Sequence, residues 1–125
     1  MTPVARPRFL NLLQIRFPVP AVISIMHRAS GAALLLSIPL MLWLLDRSLE
    51  SESGFHEVLS LLGSPGGRVL LFLLLWALSH HLLAGIRYLL IDVEVGVEKS
   101  AARRSAWLVA FGAPLLALLL TGVLT

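Results

Sequence analysis

Residues 79–92 read SHHLLAGIRYLLID. This segment carries two histidines, an arginine and a terminal aspartate inside a stretch that is otherwise apolar enough for a membrane span. Helical steps of four, three and four residues place one set of side chains on a single face: His81, Gly85, Tyr88 and Asp92. That face has a nitrogen ligand, a position without a side chain and two hydrogen-bonding groups. Such a face is typical of a helix that holds a flat, apolar group with a polar edge.

The composition excludes several classes of protein. The chain has 125 residues, of which 58% are hydrophobic and 14% charged, whereas soluble domains average about 25% charged residues. It has no cysteine, which excludes a thiolate-ligated haem, an iron–sulfur cluster held by this chain and a haem attached through Cys-x-x-Cys-His. The formal charge is +3 and the basic residues are scattered, so we expect no nucleic acid as a partner.

The apolar segments predict an all-α membrane protein with three transmembrane helices. The predicted spans are about 21–45, 69–91 and 106–124. The chain then divides into an N-terminal arm, residues 1–20, and a three-helix anchor domain, residues 21–125. Within the arm, Phe9 to Phe17 form either a short helix on the membrane surface or an irregular segment docked on a partner. Asp46 to Arg68 are predicted to be a loop, because the sequence Ser-Pro-Gly-Gly interrupts any helix there.

The basic residues outside the spans predict the orientation. The arm has three arginines, and the second connection, Val93 to Ser105, has three further basic residues, whereas the first loop has two. The positive-inside tendency therefore places the N-terminus and the second connection in the cytoplasm. Prolines break any secretory core before Ala21, and no Arg- and Ser-rich transit sequence precedes the first span. We therefore expect a multi-pass protein of the bacterial inner membrane.

The polar residues of the first two spans that are costly to insert into a membrane fall in its cytoplasmic half. A central arginine costs roughly 2.5–3.5 kcal/mol on insertion scales, which makes such residues functional candidates. Counting about 1.5 Å per residue puts His27 and Arg28 about 9–11 Å inside the cytoplasmic boundary. The second span runs the opposite way, so Arg87 lies about 8 Å and His81 about 16 Å inside the same boundary. Because these side chains gather in the same half of the membrane, we expect them to bind one ligand together.

A haem standing on edge would satisfy this arrangement. His81 would ligate the iron, while Arg28 and Arg87 would bind the two propionates, because a guanidinium stays charged and donates two hydrogen bonds at once. Gly85, one turn from His81, would leave room for the porphyrin. The alternatives are histidines that hydrogen-bond between helices, arginines that reach to the interface and glycines that serve close packing.

Two further alternatives concern which histidine binds the iron. His80 lies about 100° round the helix from His81 and shares its face with fewer small residues, so His81 is the preferred ligand. His27 and His81 could also ligate one haem together. Their estimated depths differ by about 7 Å, which makes that arrangement awkward.

Two motifs resemble those of the cytochrome b proteins that anchor succinate dehydrogenase (respiratory complex II) in the membrane. The first is Arg-Pro at residues 6–7 followed by Arg-Phe-Pro at 16–18 and Ser-Ile-Met-His-Arg-Ala-Ser-Gly at 24–31. The second is His-x-x-x-Gly-Ile-Arg-x-x-x-x-Asp at 81–92. The three spans and the chain length also fit this family, so the resemblance covers nearly the whole chain.

The resemblance implies a haem b shared with a second membrane anchor, with His81 as one axial ligand. It implies that Ser24 and Arg28 line a ubiquinone site beside the iron–sulfur subunit, and that His27 and Arg28 lie near the haem propionates. Electrons from succinate would arrive through the flavoprotein subunit, and the chain alone would have no activity. Tyr88 stands where the family often has a histidine, and its phenol cannot supply positive charge. The rivals are a quinol:fumarate reductase anchor and a structural membrane protein without redox function.

Overall fold

The computed structural model describes residues 16–124, which form four helices and contain no strand. The helices are α1 (Val19–Glu50), α2 (Glu52–Gly63), α3 (Pro65–Asp92) and α4 (Lys99–Leu124). Three of them, α1, α3 and α4, are long and apolar enough to cross a membrane. The prediction of an all-α protein with three membrane-spanning helices is therefore confirmed. The alternatives for Phe9 to Phe17 lie almost wholly outside the described residues.

The predicted loop over Asp46 to Arg68 is wrong, because most of it is helical. The helices are interrupted only at Ser51 and Ser64, whose backbones are extended. Each serine caps the helix that follows it: Ser51 Oγ accepts the N–H of Gly54 at 3.0 Å, and Ser64 Oγ accepts the N–H of Gly67 at 3.1 Å. Serine at this position satisfies a backbone N–H that a helix start leaves free. The Ser-Pro-Gly-Gly sequence thus begins a helix instead of forming a loop.

Helix α2 folds back on the end of α1. The guanidinium of Arg47 donates to Glu57 Oε2 from Nε at 3.0 Å and from Nη2 at 2.8 Å, and its Nη1 donates to Glu50. Exposed ion pairs of this kind contribute at most about 1 kcal/mol each. Val58 is buried, whereas Phe55 and Leu59 on α2 stay about half exposed. An amphipathic helix at the end of a span is suited to the membrane surface.

Helix α3 is central and packs against α1, α2 and α4. The buried positions at its contacts are mostly small side chains, which let helix backbones approach closely where lipid is as apolar as the protein. Four alanines have no exposed surface: Ala84, Ala106, Ala113 and Ala117. Most of the larger apolar side chains of the spans are exposed, whereas Ser30 of α1 and three polar side chains of α3 are buried: Ser79, His80 and Arg87.

Gly67→Ala should destabilise the junction between α2 and α3. A Cβ at Gly67 would overlap the backbone carbonyl oxygen of Leu61, and overpacking typically costs about 1–3 kcal/mol. Gly66→Ala is the matched control, because a Cβ there would meet open space. Thermal unfolding of the purified chain in detergent should show a lower midpoint for G67A and an unchanged or higher midpoint for G66A. Equal midpoints for the two variants would contradict the close contact between Gly67 and the Leu61 backbone.

Candidate functional site

Two histidines from antiparallel helices form the centre of the site. The imidazoles of His27 on α1 and His81 on α3 are stacked, with ring centroids 4.2 Å apart and an interplanar angle of 13°. Each histidine precedes a glycine by one helical turn, and each ring lies over the glycine of the other helix. A Cβ on Gly31 would approach His81 Cε1 to 2.9 Å, and a Cβ on Gly85 would lie 3.6 Å from His27 Nε2. The two glycines therefore make the space that both rings occupy.

The hydrogen bonds of His81 fix its tautomer. Its Nδ1 lies 3.2 Å from the backbone carbonyl oxygen of His27. Since a carbonyl only accepts, Nδ1 carries the proton and donates it, which leaves Nε2 with a free lone pair. Ser30 supports this contact, because its Oγ donates to the same carbonyl at 2.8 Å and lies 3.4 Å from His81 Nδ1. An imidazole held through Nδ1–H to a carbonyl is oriented as histidine ligands of metals are.

The structure brings the two histidine rings together, although residue counting places them at different depths. Counting residues predicts a separation of about 7 Å, whereas the rings are in contact. The rings meet face to face and so do not present their nitrogens to one shared atom. No group of three or more His, Cys, Asp or Glu side chains within residues 16–124 is arranged to hold a bare metal ion.

The neighbouring His80 does not take part in the ring stacking of His27 and His81. It is only 4% exposed, and its Nε2 has no hydrogen-bond partner among residues 16–124. The residue borders a cavity of about 200 Å³ that Ser30, Trp76 and Ala77 also line. The structure thus separates the two adjacent histidines, and only His81 joins His27 and the two glycines.

Tyr88 and Arg87 extend the site towards α4. The Tyr88 ring lies 5.3 Å from that of His27, and its hydroxyl is buried without a partner among the described residues. The Arg87 guanidinium donates from Nε to Ser105 Oγ at 3.0 Å and from Nη2 to the Ala102 carbonyl at 3.1 Å. It also lies 5.3 Å from the centre of the Tyr88 ring. Arg87 is therefore held by α4, and its guanidinium lies near Tyr88, whose ring lies near that of His27.

Ser24 and Arg28 lie one helical turn apart on α1, next to His27. Other serines of the same helix, Ser30 and Ser37, donate to the carbonyl three residues earlier. Ser24 Oγ makes no hydrogen bond with any residue in the range 16–124, so its donor is free within that range. Arg28 is exposed and has no carboxylate partner in the same part of the chain. Both side chains are thus available to a ligand or a partner.

Sequence reasoning missed the contributions of Ser30 and Ser105. Ser30 enters the sequence analysis only as part of a motif, yet it shares the His27 carbonyl with His81. Ser105 is predicted to belong to the second connection, yet it lies in α4 and accepts from Arg87. The repeated His-x-x-x-Gly spacing was the available signal for the packing of α1 on α3.

Known proteins are similar to this chain along nearly its whole length. The model of a family described as "Succinate dehydrogenase/Fumarate reductase transmembrane subunit" matches residues 2–121. A succinate dehydrogenase cytochrome b556 subunit of Coxiella burnetii is 38% identical over 119 residues, which cover 94% of this chain and 94% of that protein. A protein of the same name from Paracoccus denitrificans is 36% identical over 114 residues, which cover 91% of this chain and 88% of that protein.

Gly31→Ala is expected to displace the His81 ring, because its Cβ would lie 2.9 Å from Cε1. The shift should break the hydrogen bond from Nδ1 to the His27 carbonyl. Nitrogen NMR of the histidine-labelled chain, at a pH where the ring is neutral, should then lose the Nδ1–H tautomer of His81. The His81→Gln variant assigns the signal.

Gly85→Ala is the matched control for that measurement. Its Cβ would lie 3.6 Å from His27 Nε2, which is ordinary van der Waals contact. The Nδ1–H signal of His81 should therefore persist in G85A. An unaltered His81 signal in G31A, or its loss in both variants, would show that the glycines do not hold the rings in this way.

Proposed function

The chain belongs to the succinate dehydrogenase/fumarate reductase transmembrane subunit family, and from that premise we propose that it holds a haem b and helps to form a ubiquinone-reducing site. Its membrane-spanning helices and its bacterial relatives make it a multi-pass protein of the bacterial inner membrane that anchors succinate dehydrogenase. Both relatives are named for succinate dehydrogenase, which supports succinate oxidation over fumarate reduction as the direction of turnover.

The free Nε2 of His81 is the observation that carries the haem proposal. Its Nδ1–H is committed to the His27 carbonyl, so the remaining nitrogen has the protonation state that an axial ligand needs. The space beside Gly31 and Gly85 is filled by the two imidazole rings, which seats His81 in this orientation. His81 would supply one axial ligand, and a second membrane anchor would supply the other. A bound haem b supplies a one-electron redox centre.

Three side chains of α1 and α3 would hold the polar edge of that group. Arg28 offers an exposed guanidinium without an acidic partner among residues 16–124, and this group pairs well with carboxylates. His27 lies against His81, and the buried Tyr88 hydroxyl has a proton to donate and no acceptor in the same range. Arg87 is left out of this set, because two of its nitrogens donate to α4.

Ser24 and Arg28 would form this chain's part of the quinone site. The free hydroxyl of Ser24 would donate a hydrogen bond to a quinone oxygen as that oxygen gains negative charge. Arg28, one turn away, would stabilise the same charge, and this effect is strong where the dielectric is low. A flavoprotein subunit would oxidise succinate, and an iron–sulfur subunit would pass the electrons to this site. Those two proteins and the second anchor complete the proposed assembly.

His81→Ala should abolish the b-type haem spectrum of the purified assembly, because it removes the proposed axial nitrogen. His80→Ala is the matched control: it removes the adjacent imidazole, which is not stacked on His27 and whose Nε2 is buried without a hydrogen-bond partner among residues 16–124. The measurement is the reduced-minus-oxidised difference spectrum per mole of assembly. Loss of the b-type band in H80A with retention in H81A would reverse the assignment, and its absence from the wild-type assembly would favour a structural role.

Ser24→Ala should slow quinone reduction roughly 10- to 100-fold, since a hydrogen bond to a charged group contributes about 1.5–3 kcal/mol. Succinate oxidation by an artificial dye should stay unchanged, because the dye takes electrons before the quinone site. Ser37→Ala is the control on the same helix, where the hydroxyl donates to the Leu34 carbonyl. Equal losses of both activities in S24A would assign Ser24 to assembly and not to the quinone site.

A further inference from the structure

A second polar site lies between the end of α3 and the start of α4. It is a cavity of about 290 Å³, here called the Arg87 cavity. Its polar lining comes from Arg87, Arg104 and Ser105, and its apolar walls include Leu90 and Leu108. Arg87 is the one lining residue that the sequence analysis grouped with the haem, and its hydrogen bonds to α4 remove it from that set. The other residues proposed to hold the haem or the quinone do not line this cavity, so the Arg87 cavity does not depend on the proposed function.

The charge of Arg87 is buried without a counter-charge among residues 16–124. The residue is only 6% exposed. Both ion pairs found within residues 16–124 belong to Arg47, so no carboxylate there neutralises Arg87. A buried cation is costly unless it is paired and hydrogen-bonded. The connection from α3 to α4 does carry Glu94 and Glu98, yet neither lines the cavity.

The Arg87 guanidinium does not use all of its N–H donors within residues 16–124. Nε and Nη2 donate to Ser105 and Ala102, both neutral acceptors on α4. Nη1 makes no hydrogen bond within residues 16–124, and it is not sealed from the surroundings. Arg104, which is exposed, brings a second guanidinium to the same cavity. Two guanidinium groups at one cavity favour an anion with several oxygens, such as a phosphate.

The apolar walls of the Arg87 cavity indicate which kind of molecule contains that phosphate. Leu108 is 74% exposed and Leu90 46% exposed, so the apolar lining continues onto the outer surface of two membrane-spanning helices. We propose that the Arg87 cavity binds the phosphate of an anionic lipid, with the headgroup between Arg87 and Arg104 and an acyl chain along Leu90 and Leu108. Basic pockets between transmembrane helices recognise lipid headgroups by the same chemistry.

Arg104→Gln tests the site without disturbing the bonds that Arg87 makes to α4. The assembly, purified in mild detergent and stripped of lipid, is titrated with phosphatidylglycerol, and bound lipid is counted by native mass spectrometry. Removal of one cation near an anionic lipid should weaken the binding of one phosphatidylglycerol about five-fold. Arg103→Gln is the matched control: it removes the same charge from the adjacent residue, which lines other grooves and not this cavity. Its effect should be much smaller.

Three results would overturn the proposal. Equal weakening in R104Q and R103Q would mean that lipid is drawn by diffuse surface charge. Equal binding of phosphatidylcholine and phosphatidylglycerol by the wild type would mean that the arginines do not select an anion. Complete displacement of the lipid by millimolar inorganic phosphate would assign the cavity to free phosphate. Retention of the lipid in that phosphate, together with selective loss in R104Q, supports the lipid site.

Discussion

The packing of two imidazole rings between α1 and α3 is the constraint on which the rest of the site depends. In lipid no hydrophobic effect drives apolar helices together, because the lipid tails are as apolar as the helices. Close packing and hydrogen bonds must therefore fix the register of the helices. Here each histidine needs the glycine of the opposite helix, and the carbonyl of His27 needs the Nδ1–H of His81. A shift of one residue along either helix would separate both pairs. Ser24 and Arg28 lie beside His27 on α1.

Hydropathy predicted the membrane-spanning helices, because a span must be long and apolar whatever it packs against. The same reasoning failed between the first two spans. Ser51 and Ser64 fall within the predicted loop, yet each accepts a backbone N–H and starts a helix. Composition cannot separate a breaker from a cap, since the difference lies in the backbone angles of one residue. The orientation of the spans and the limits of the two predicted domains stay predictions.

Periodicity also predicted part of the site, and its limits are informative. It placed His81 and Gly85 on one face, and the structure brings that face to His27. It grouped Arg87 with the haem-binding residues by depth alone. Depth does not say which helix a side chain meets, and Arg87, about 100° from Tyr88 round the helix, turns to α4. The haem and quinone roles of individual residues stay proposals.

The serine caps also affect how susceptible the chain is to proteases. From Val19 to Asp92 only Ser51 and Ser64 interrupt the helices, and every other backbone N–H and carbonyl in that range lies within helical structure. A protease must draw several consecutive residues into an extended conformation, and exposed irregular segments are where it succeeds. Within the described residues, the connection between α3 and α4 is the longest irregular segment. One side of the membrane would then offer little to cleave, and susceptibility would concentrate on the side that holds the connection after Asp92.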